Sequence, residues 1–482
     1  MTATGSRFDF AAPLPSPEQL GRVHLVAIGG AGMSAVARLL LQSGVAVSGT
    51  DASDSATLRA LEALGAVVHV GHDPAYLGDA DTVVVSSAVR EDNPELAAAR
   101  GRGLRVLHRA QALAALTRGR RTVAVAGANG KTTTAAMLAV ALRHAGSDPG
   151  YAIGGEPSQL GGNAATGGGE VFVTEADESD GSFLVYAPDV AVVTNVQPDH
   201  LDFYGTFTAV QTAYDRFARS VADGGLLVAC ADDPGSLSLA EAARGRGRRV
   251  LTYGAGPDAD VRLGELATKG MTTTATVLDQ GRSWALRLRL PGRHNLLDAA
   301  AAYTAATHGL GADPAAVLAG LASFTGTRRR FDPVGEARGV RIVDDYAHNP
   351  GKVAALVETA RGVAGSGRLV VAFQPHLYSR TRDFAGAFAA SLAQADVVYV
   401  TDVYAAREDP LPGVTGALIA DRVHELAAAN AAATELTYLP DVTRLAAALA
   451  GSVRPGDLVV TVGAGDITSV GPQLLALLQV PR

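Results

Sequence analysis

Short runs of Val, Ile and Leu alternate along the chain with Ala- and Leu-rich stretches at helical spacing. VHLVAI at 23–28 precedes a helical stretch over about 33–43, and VAVSG at 45–49 and TVVVSS at 82–87 complete a first series. Runs this short and this continuously apolar predict strands buried on both faces, and their alternation with helices predicts parallel sheets built from βαβ units. A helical stretch ends near Thr117, and the basic run Arg118-Gly119-Arg120-Arg121 reads as a hinge before the strand TVAVAG, so the first domain is predicted over 1–118. The second series carries VFVTE (171–175), VAVVTN (190–195), LLVACA (226–231) and LRLRLPG (286–292). The last of these alternates like a half-exposed antiparallel strand, so a mixed sheet is expected over 119–330. Between Ser323 and Gly339 the chain turns polar and Arg-rich, after which VRIVDD (340–345), LVVAFQ (369–374), VVYVTD (397–402) and LVVTVG (458–463) predict a third domain over 331–482. GGNAATGGG at 161–169 reads as a flexible loop.

Composition narrows the function classes. With 482 residues, 48% hydrophobic and 18% charged, the chain is long enough for two or three full cores and too apolar for wholesale disorder. Lys plus Arg number 41 against 48 Asp plus Glu, a net charge of -7, so no basic field exists to hold a nucleic acid. The single cysteine, Cys230, allows no internal disulfide and fits a reducing cytoplasm. The first 20 residues lack an apolar core of signal-peptide length and are broken by Pro13, Pro15 and Pro17. The most apolar window, from Val23 to Leu41, is interrupted by Gly29, Gly30, Gly32, His24 and Arg38, so no membrane insertion is expected.

The candidate chemistry lies at the ends of the predicted strands. Gly30-Ala31-Gly32-Met33-Ser34-Ala35 joins the first strand to its helix, and Asp51 closes the next strand. Glycines in that turn let backbone amides approach a pyrophosphate at a helix N-terminus. NAD and a nucleotide sugar satisfy that requirement equally, and a tight turn without a ligand has the same pattern. Gly127-Ala128-Asn129-Gly130-Lys131-Thr132-Thr133-Thr134 follows TVAVA and starts a helix, so amides, helix dipole and Lys131 converge on phosphates, with Thr132 or Thr133 offering a hydroxyl to Mg²⁺. The strict phosphate-loop pattern has Gly where Val125 stands, which makes this a variant form. Replacing Lys131 by Ala is expected to cut turnover by roughly 10²-fold or more and to leave thermal unfolding nearly unchanged.

An acidic cluster at a carboxyl strand end facing a phosphate loop suits Mg²⁺. Glu175 is the candidate ligand, while Asp177, Glu178 and Asp180 also read as a solvated acidic turn. Asp199, His200 and Asp202 end the next strand at the same rim, as ligands or substrate contacts. His294 and Asn295 open a helix after PGR. Arg328, Arg329 and Arg330 read either as a solvated face or as charges that offset a transferring phosphoryl group. In the third series, Asp344, Asp345, Tyr346 and His348 close one strand and the run from Gln374 to Arg382 closes the next, where open α/β sheets bind ligands. The fold class is therefore α/β in three domains: a Rossmann-like N-terminal domain, a central P-loop ATPase domain on a mixed sheet, and a Rossmann-like C-terminal domain.

The ordered set GANGKTTT, EADESD, NVQPDHLD, PGRHN, GTRRRFD and DDYAHNP resembles the Mur ligases, ATP-dependent enzymes that add amino acids to cell-wall precursors. IGGAGMS (28–34), VVVSSAVREDNPEL (83–96), EADESDGSF (175–183), FQPHLYSRTRD (373–383), VYAAREDPLPGVTG (403–416) and GAGDI (463–467) are similar to the branch that joins L-alanine to UDP-N-acetylmuramate in peptidoglycan precursor synthesis. The resemblance implies that Gly127, Ala128, Asn129, Gly130, Lys131, Thr132 and Thr133 hold the ATP phosphates, with Thr132 and Glu175 on one Mg²⁺ and His200 on a second. It implies Asn295 at the adenine, Arg329 at the γ-phosphate and Asp345 at the ribose. The turn of Gly29, Gly30, Ala31, Gly32, Met33 and Ser34, with Asp51, would take the UDP pyrophosphate. Tyr346, His348 and Arg380 would face the muramoyl carboxylate and the incoming alanine, with Lys131, His348 and Arg380 as the catalytic set.

Several positions depart from that branch. Ala128-Asn129 stands in place of Thr-His, Asp298 in place of a second Asn, Asn349 in place of a second His and Lys352 in place of a Glu. Tyr214 stands where sibling ligases carry a Lys that becomes carbamylated, and an aromatic residue there is similar to the alanine-adding branch. The rival readings are a sibling ligase for a recycled peptide or another amino acid, an NAD-dependent oxidoreductase suggested by the first domain alone, and an inactive paralogue that binds the UDP-sugar.

Overall fold

The computed structural model describes residues 7–10, 12–406, 408–429 and 434–480. The chain divides into two compact units, one of residues 1–265, 275–287 and 296–324, the other of residues 266–274, 288–295 and 325–482.

In the first unit, β1 (Val23–Val26), β2 (Val47–Asp51), β3 (Val67–Val70), β4 (Thr82–Val85) and β5 (Arg105–His108) form a parallel sheet in the order β3-β2-β1-β4-β5. β1 and β4 are buried along their whole length, as their apolar runs require. β3 and β5 are not among the expected strands, although VVHV and RVLH are short apolar runs; β3 is an exposed edge and β5 opens on Arg105. β2 begins two residues later than its apolar run, at Val47, and so delivers Asp51 at its carboxyl end. The strand order reverses between β1 and β4, which is where open α/β sheets form their ligand crevice.

The second sheet comprises β6 (Arg121–Ala126), β7 (Gly150–Ala152), β8 (Ala164–Ala165), β9 (Val171–Glu175), β10 (Val190–Val193), β11 (Leu226–Cys230), β12 (Val250–Gly254), β13 (Val261–Lys269), β14 (Thr272–Asp279) and β15 (Arg282–Leu288). Its order is β15-β14-β13-β12-β11-β10-β6-β9-β7-β8, with β7 and β8 antiparallel and β6, β9, β10, β11 and β12 parallel to their neighbours, so it is mixed. LRLRLPG is only half strand, since β15 stops at Leu288. The β6–β9 register sets Val125 opposite Glu175, which puts that carboxylate beside the start of the loop that follows β6.

One expectation fails here. The Gly-rich stretch 161–169 is ordered, because β8 pairs with β7 and the Arg120 guanidinium donates to the carbonyls of Thr166, Gly167 and Gly169. At the basic run 118–121, Arg118 donates to the Leu14 carbonyl, and Arg121 starts β6 and donates to the Gly309 carbonyl. One apolar cluster runs from Leu25 and Val36 through Leu113 to Ala124, Val193 and Phe217, continuous across residues 118–119.

The second unit holds β16 (Asp332–Ala337), β17 (Val340–Asp345), β18 (Leu369–Phe373), β19 (Val397–Val400), β20 (Glu435–Tyr438) and β21 (Leu458–Val462). They lie in the order β16-β17-β21-β18-β19-β20, parallel except for the β16–β17 hairpin. Alternate residues feed two cores: Val343, Val371 and Val460 one face, Ile342, Val370 and Val459 the other. That two-sided burial follows from strands that carry apolar residues on both faces. No helix of the described residues is long and apolar enough to cross a membrane.

Candidate active site

The loop after β6 leads into helix Lys131–His144, with Gly130 as its N-cap. Gly130 has φ +85°, and a Cβ there would stand 2.5 Å from Asp298 Oδ1, so glycine is required on both counts. The Thr134 amide already bonds the Gly130 carbonyl, which leaves the amides of Lys131, Thr132 and Thr133 as the open donors of the first helical turn. Asn129 ties this loop to the end of β10: its N–H donates to Asn195 Oδ1 at 2.9 Å and its Nδ2 to Gln197 Oε1 at 3.1 Å. Asp298, the other departure near this loop, accepts from Thr134 Oγ1 at 3.1 Å.

Lys131 Nζ lies 2.7 and 2.9 Å from the two oxygens of Glu178, whose side chain is only 3% exposed. Burial opposes the ammonium, but Glu178, Asp177 and Glu175 outweigh it and hold the Lys131 pKa above its ordinary value. Thr132 is the threonine whose hydroxyl meets the acidic segment, donating to Glu175 Oε2 at 3.2 Å, while Glu175 Oε1 accepts the Gly154 amide. His200 has a left-handed backbone, φ +53°, and its Nε2 stands 3.8 Å from both Glu178 Oε1 and Asp199 Oδ2. The side chain of Asp202 lies outside the described residues.

The solvated-turn reading of 177–180 is overturned. Asp177 pairs with Arg109 at 3.2 Å, Glu178 with Lys131, and Asp180 with His108 Nε2 at 3.2 Å and with the Ser87 hydroxyl. Burial opposes the Asp180 anion, yet His108, Ser182 and Ser87 hold its pKa well below the carboxylate range. Successive carboxylates thus serve different elements, which a linear count of acidic residues does not reveal. Glu178 is the site residue that sequence reasoning undervalued. The available signal was that a buried phosphate-loop lysine requires a counter-charge when no phosphate is bound.

Among the described residues no group of three or more His, Cys, Asp or Glu side chains could hold a metal ion. Mg²⁺ does not need such a group: it takes one or two protein oxygens and completes its shell with phosphate and water. Thr132 Oγ1 and Glu175, adjacent hard oxygens at the head of a helix, fit that requirement. Tyr214 packs edge-on against Phe183 and is fully buried, and its hydroxyl has no hydrogen-bond partner among the described residues.

The turn after β1 has a different construction. Gly29 N–H donates to Asp51 Oδ2 at 2.9 Å, so Asp51 braces the turn. Gly30 caps helix Ala31–Gln42, and the Ser34 amide already bonds the Gly30 carbonyl. Ala31, Gly32 and Met33 therefore carry the open amides, while the side chains of Met33 and Ser34 are buried in the core.

In the second unit, Arg329 is not solvated. Its Nε donates to Asp344 Oδ2 at 3.2 Å, its Nη2 to the Gly463 carbonyl at 2.7 Å, and its guanidinium lies 4.9 Å from the Tyr346 ring centre. Asp345 accepts the amides of Phe331 and Ala347 at 2.7 and 2.8 Å, and burial raises its pKa. Asn295 Nδ2 donates to the Pro291 carbonyl at 2.6 Å. His348 Nδ1 lies 2.9 Å from the Tyr346 carbonyl, and Arg380 donates to the His348 carbonyl at 3.3 Å. Burial, then Lys352 and Arg380, push the His348 pKa well below its ordinary value, so the ring is neutral, with its proton assigned to Nδ1 and a lone pair on Nε2. Asn349 caps helix Pro350–Ala364 by accepting the Lys352 amide at 2.8 Å, which gives that departure a structural task.

Comparison with known proteins adds the following. Residues 22–121 match the profile of the Mur ligase family, catalytic domain; residues 125–306 match the Mur ligase middle domain; residues 329–465 match the Mur ligase, glutamate ligase domain. The chain is 61% identical over 463 residues to the UDP-N-acetylmuramate–L-alanine ligase of Kineococcus radiotolerans, covering 95% of this chain and 97% of the relative. The crystal structure of the UDP-N-acetylmuramate-alanine ligase of Thermotoga maritima superposes with a TM-score of 0.81 at 32% identity, covering 95% and 99% of the two chains. A murein peptide ligase from Psychrobacter arcticus shares the fold at 24% identity, with a TM-score of 0.70 over 96% and 100%.

Proposed function

The chain belongs to the Mur ligase family, and from that premise we propose that it joins L-alanine to the lactyl carboxylate of UDP-N-acetylmuramate, with ATP cleaved through an acyl phosphate. The observation that carries the chemistry is Lys131 at the head of its helix, held by the buried Glu178 beside Thr132 and Glu175. A carboxylate does not react with an amine directly. Attack of its oxygen on the γ-phosphorus expels ADP and gives the acyl phosphate. The alanine nitrogen then attacks the acyl carbon, phosphate leaves, and the nitrogen loses a proton. Two anions meet in the first step, so the chain must supply positive charge and open amides where repulsion is greatest.

In this reading Lys131 and the amides of Lys131, Thr132 and Thr133 hold the triphosphate, within the loop Gly127, Ala128, Asn129 and Gly130. Thr132 and Glu175 would hold one Mg²⁺ and His200 a second, and when bound the ions would supply further charge neutralisation. The turn from Gly29 to Ser34 takes the UDP diphosphate through its amides, and Asp51 keeps the turn in shape. The assignments in the second unit rest on the resemblance: Asn295, Arg329 and Asp345 for ATP, His348 and Arg380 for the reacting groups. His348, neutral and with a free Nε2 lone pair, is suited to accept the proton that the amine gives up. The domain boundaries 1–118, 119–330 and 331–482 are part of the proposal, as is a cytoplasmic setting, which nucleotide substrates and a free Cys230 support.

The decisive measurement is phosphate release with UDP-N-acetylmuramate and each candidate amino acid or peptide in turn. Release that depends on L-alanine is the expected result, with UMP or UDP competing against the sugar substrate and NAD without effect. Release driven by a peptide instead would assign the sibling activity, and saturable NAD binding would favour an oxidoreductase.

A further inference from the structure

We infer that Arg109 is a binding residue for the diphosphate of the UDP-sugar, and that Asp177 holds it in place until that ligand arrives. The inference rests on the reading of the turn from Gly29 to Ser34 as the UDP-sugar site. Arg109 follows β5 directly and begins helix Arg109–Leu116, so it stands at the carboxyl rim of the first sheet, one strand beyond the point where the strand order reverses. Its guanidinium lies against the turn after β1: a Cβ built on Gly32 would coincide with Arg109 Nη1 and stand 2.8 Å from its Cδ and Cζ.

That position is electrostatically odd for an empty turn. The first amides of helix Ala31–Gln42 carry the positive end of its dipole, so a guanidinium parked over Gly32 gains nothing from the helix. An anion between them turns the repulsion into two attractions. A diphosphate is the anion this ligand brings, and the planar fork of arginine matches phosphate oxygens two at a time.

Asp177 explains why the side chain waits there. Its Oδ2 meets Arg109 Nη2 through one contact of 3.2 Å, with the two side chains 26% and 38% exposed. A single-point, partly exposed pair is weaker than the two-point pairing arginine makes with phosphate, so a multiply charged phosphate displaces the carboxylate. Asp177 lies next to Glu178, the partner of Lys131, so arrival of the UDP-sugar frees a carboxylate one residue from the counter-charge of the phosphate-loop lysine.

The experiment titrates UDP and uridine, separately, into the full chain and into Arg109→Gln and Asp177→Asn, with thermal unfolding as the folding control. Loss of a charged hydrogen-bonding partner predicts UDP binding weakened roughly 10- to 100-fold in Arg109→Gln, with uridine binding unchanged. Asp177→Asn should tighten UDP several-fold, because the competing carboxylate is gone. A merely structural tie between the two residues would move UDP affinity in the same direction in both variants, or shift UDP and uridine alike, and either outcome overturns the proposal. UDP binding in Arg109→Gln equal to that of the unaltered chain overturns it as well. Should Arg109→Gln fail to fold, Asp177→Asn decides alone: tighter UDP binding supports the proposal, unchanged or weaker binding rejects it. If the unaltered chain binds neither UDP nor uridine, the reading of the turn itself fails, and Arg109 loses its ligand with it.

Discussion

The turn after β1 and the turn after β6 use the same backbone device, a buried parallel strand running into a helix whose first amides are open, with glycine where a side chain would block them. They differ in where the charge comes from. The phosphate loop carries its own cation, Lys131, at the first helical position, and the counter-charge that holds it, Glu178, comes from the segment after the neighbouring strand β9. The turn after β1 has no cation of its own. Its nearest bracing side chain is an acid, Asp51 on the Gly29 amide, and the guanidinium over Gly32 arrives from β5, the far strand of the sheet. A loop that must stabilise a transferring phosphoryl group gains from a cation fixed at short range. A turn that only binds a diphosphate works with backbone donors and a borrowed charge.

The largest expected effect separates these two designs. Lys131→Ala should cut turnover by roughly 10²-fold or more, the scale for loss of one electrostatic stabiliser. It should also destabilise the fold by about 3–5 kcal/mol, because it strands the buried Glu178 carboxylate. That replaces the expectation from sequence of an unchanged unfolding temperature. Lys131→Met combined with Glu178→Gln removes both charges and should restore most of the stability without restoring phosphate release. Near-normal ligation by Lys131→Ala would dissolve the distinction between the two turns.

A smaller effect is expected at the metal. Glu175→Ala should raise the Mg²⁺ needed for half-maximal rate by about tenfold, as one direct oxygen ligand is lost. If the requirement stays put, Glu175 serves only to brace Thr132 and the Gly154 amide.

The pH dependence of the Lys131–Glu178 pair sharpens the comparison further. The Lys131 pKa is raised in the folded chain, so the stability it contributes is fully present below the unfolded value near 10.4 and is lost as pH rises through the raised one. The difference in unfolding free energy between the chain and the doubly neutral variant should therefore be flat from about pH 6 to 10. A slope within that window would mean that another group titrates at the loop.

The smallest effect is none. Tyr214 is a buried phenol and cannot form a carbamate, so depleting bicarbonate should leave activity unchanged. Rescue by added bicarbonate would require a lysine elsewhere to supply a metal ligand.

What the sequence determined by itself is whatever one element encodes locally. The buried strands β1, β6, β9, β10 and β17 are legible because apolar residues dominate them despite single interruptions such as His24 and Arg341, and the two glycine turns are legible because strand, glycine and helix are contiguous. Lys131, Thr132 and Glu175 follow from that contiguity, since each lies within or at the end of such a unit. The edge strand β3 carries an apolar run, VVHV, that was not among the expected strands, whereas β8 is only two alanines inside a Gly-rich stretch and is defined by its pairing with β7. Only the tertiary structure sorted the acidic run 175–180, because neighbouring carboxylates diverge in space: Asp177 goes to Arg109, Glu178 to Lys131 and Asp180 to His108. Only it brought Arg109 over Gly32. Partners of a charge are fixed by which strands stand side by side, and sheet order is a property of the packed chain that no local window contains.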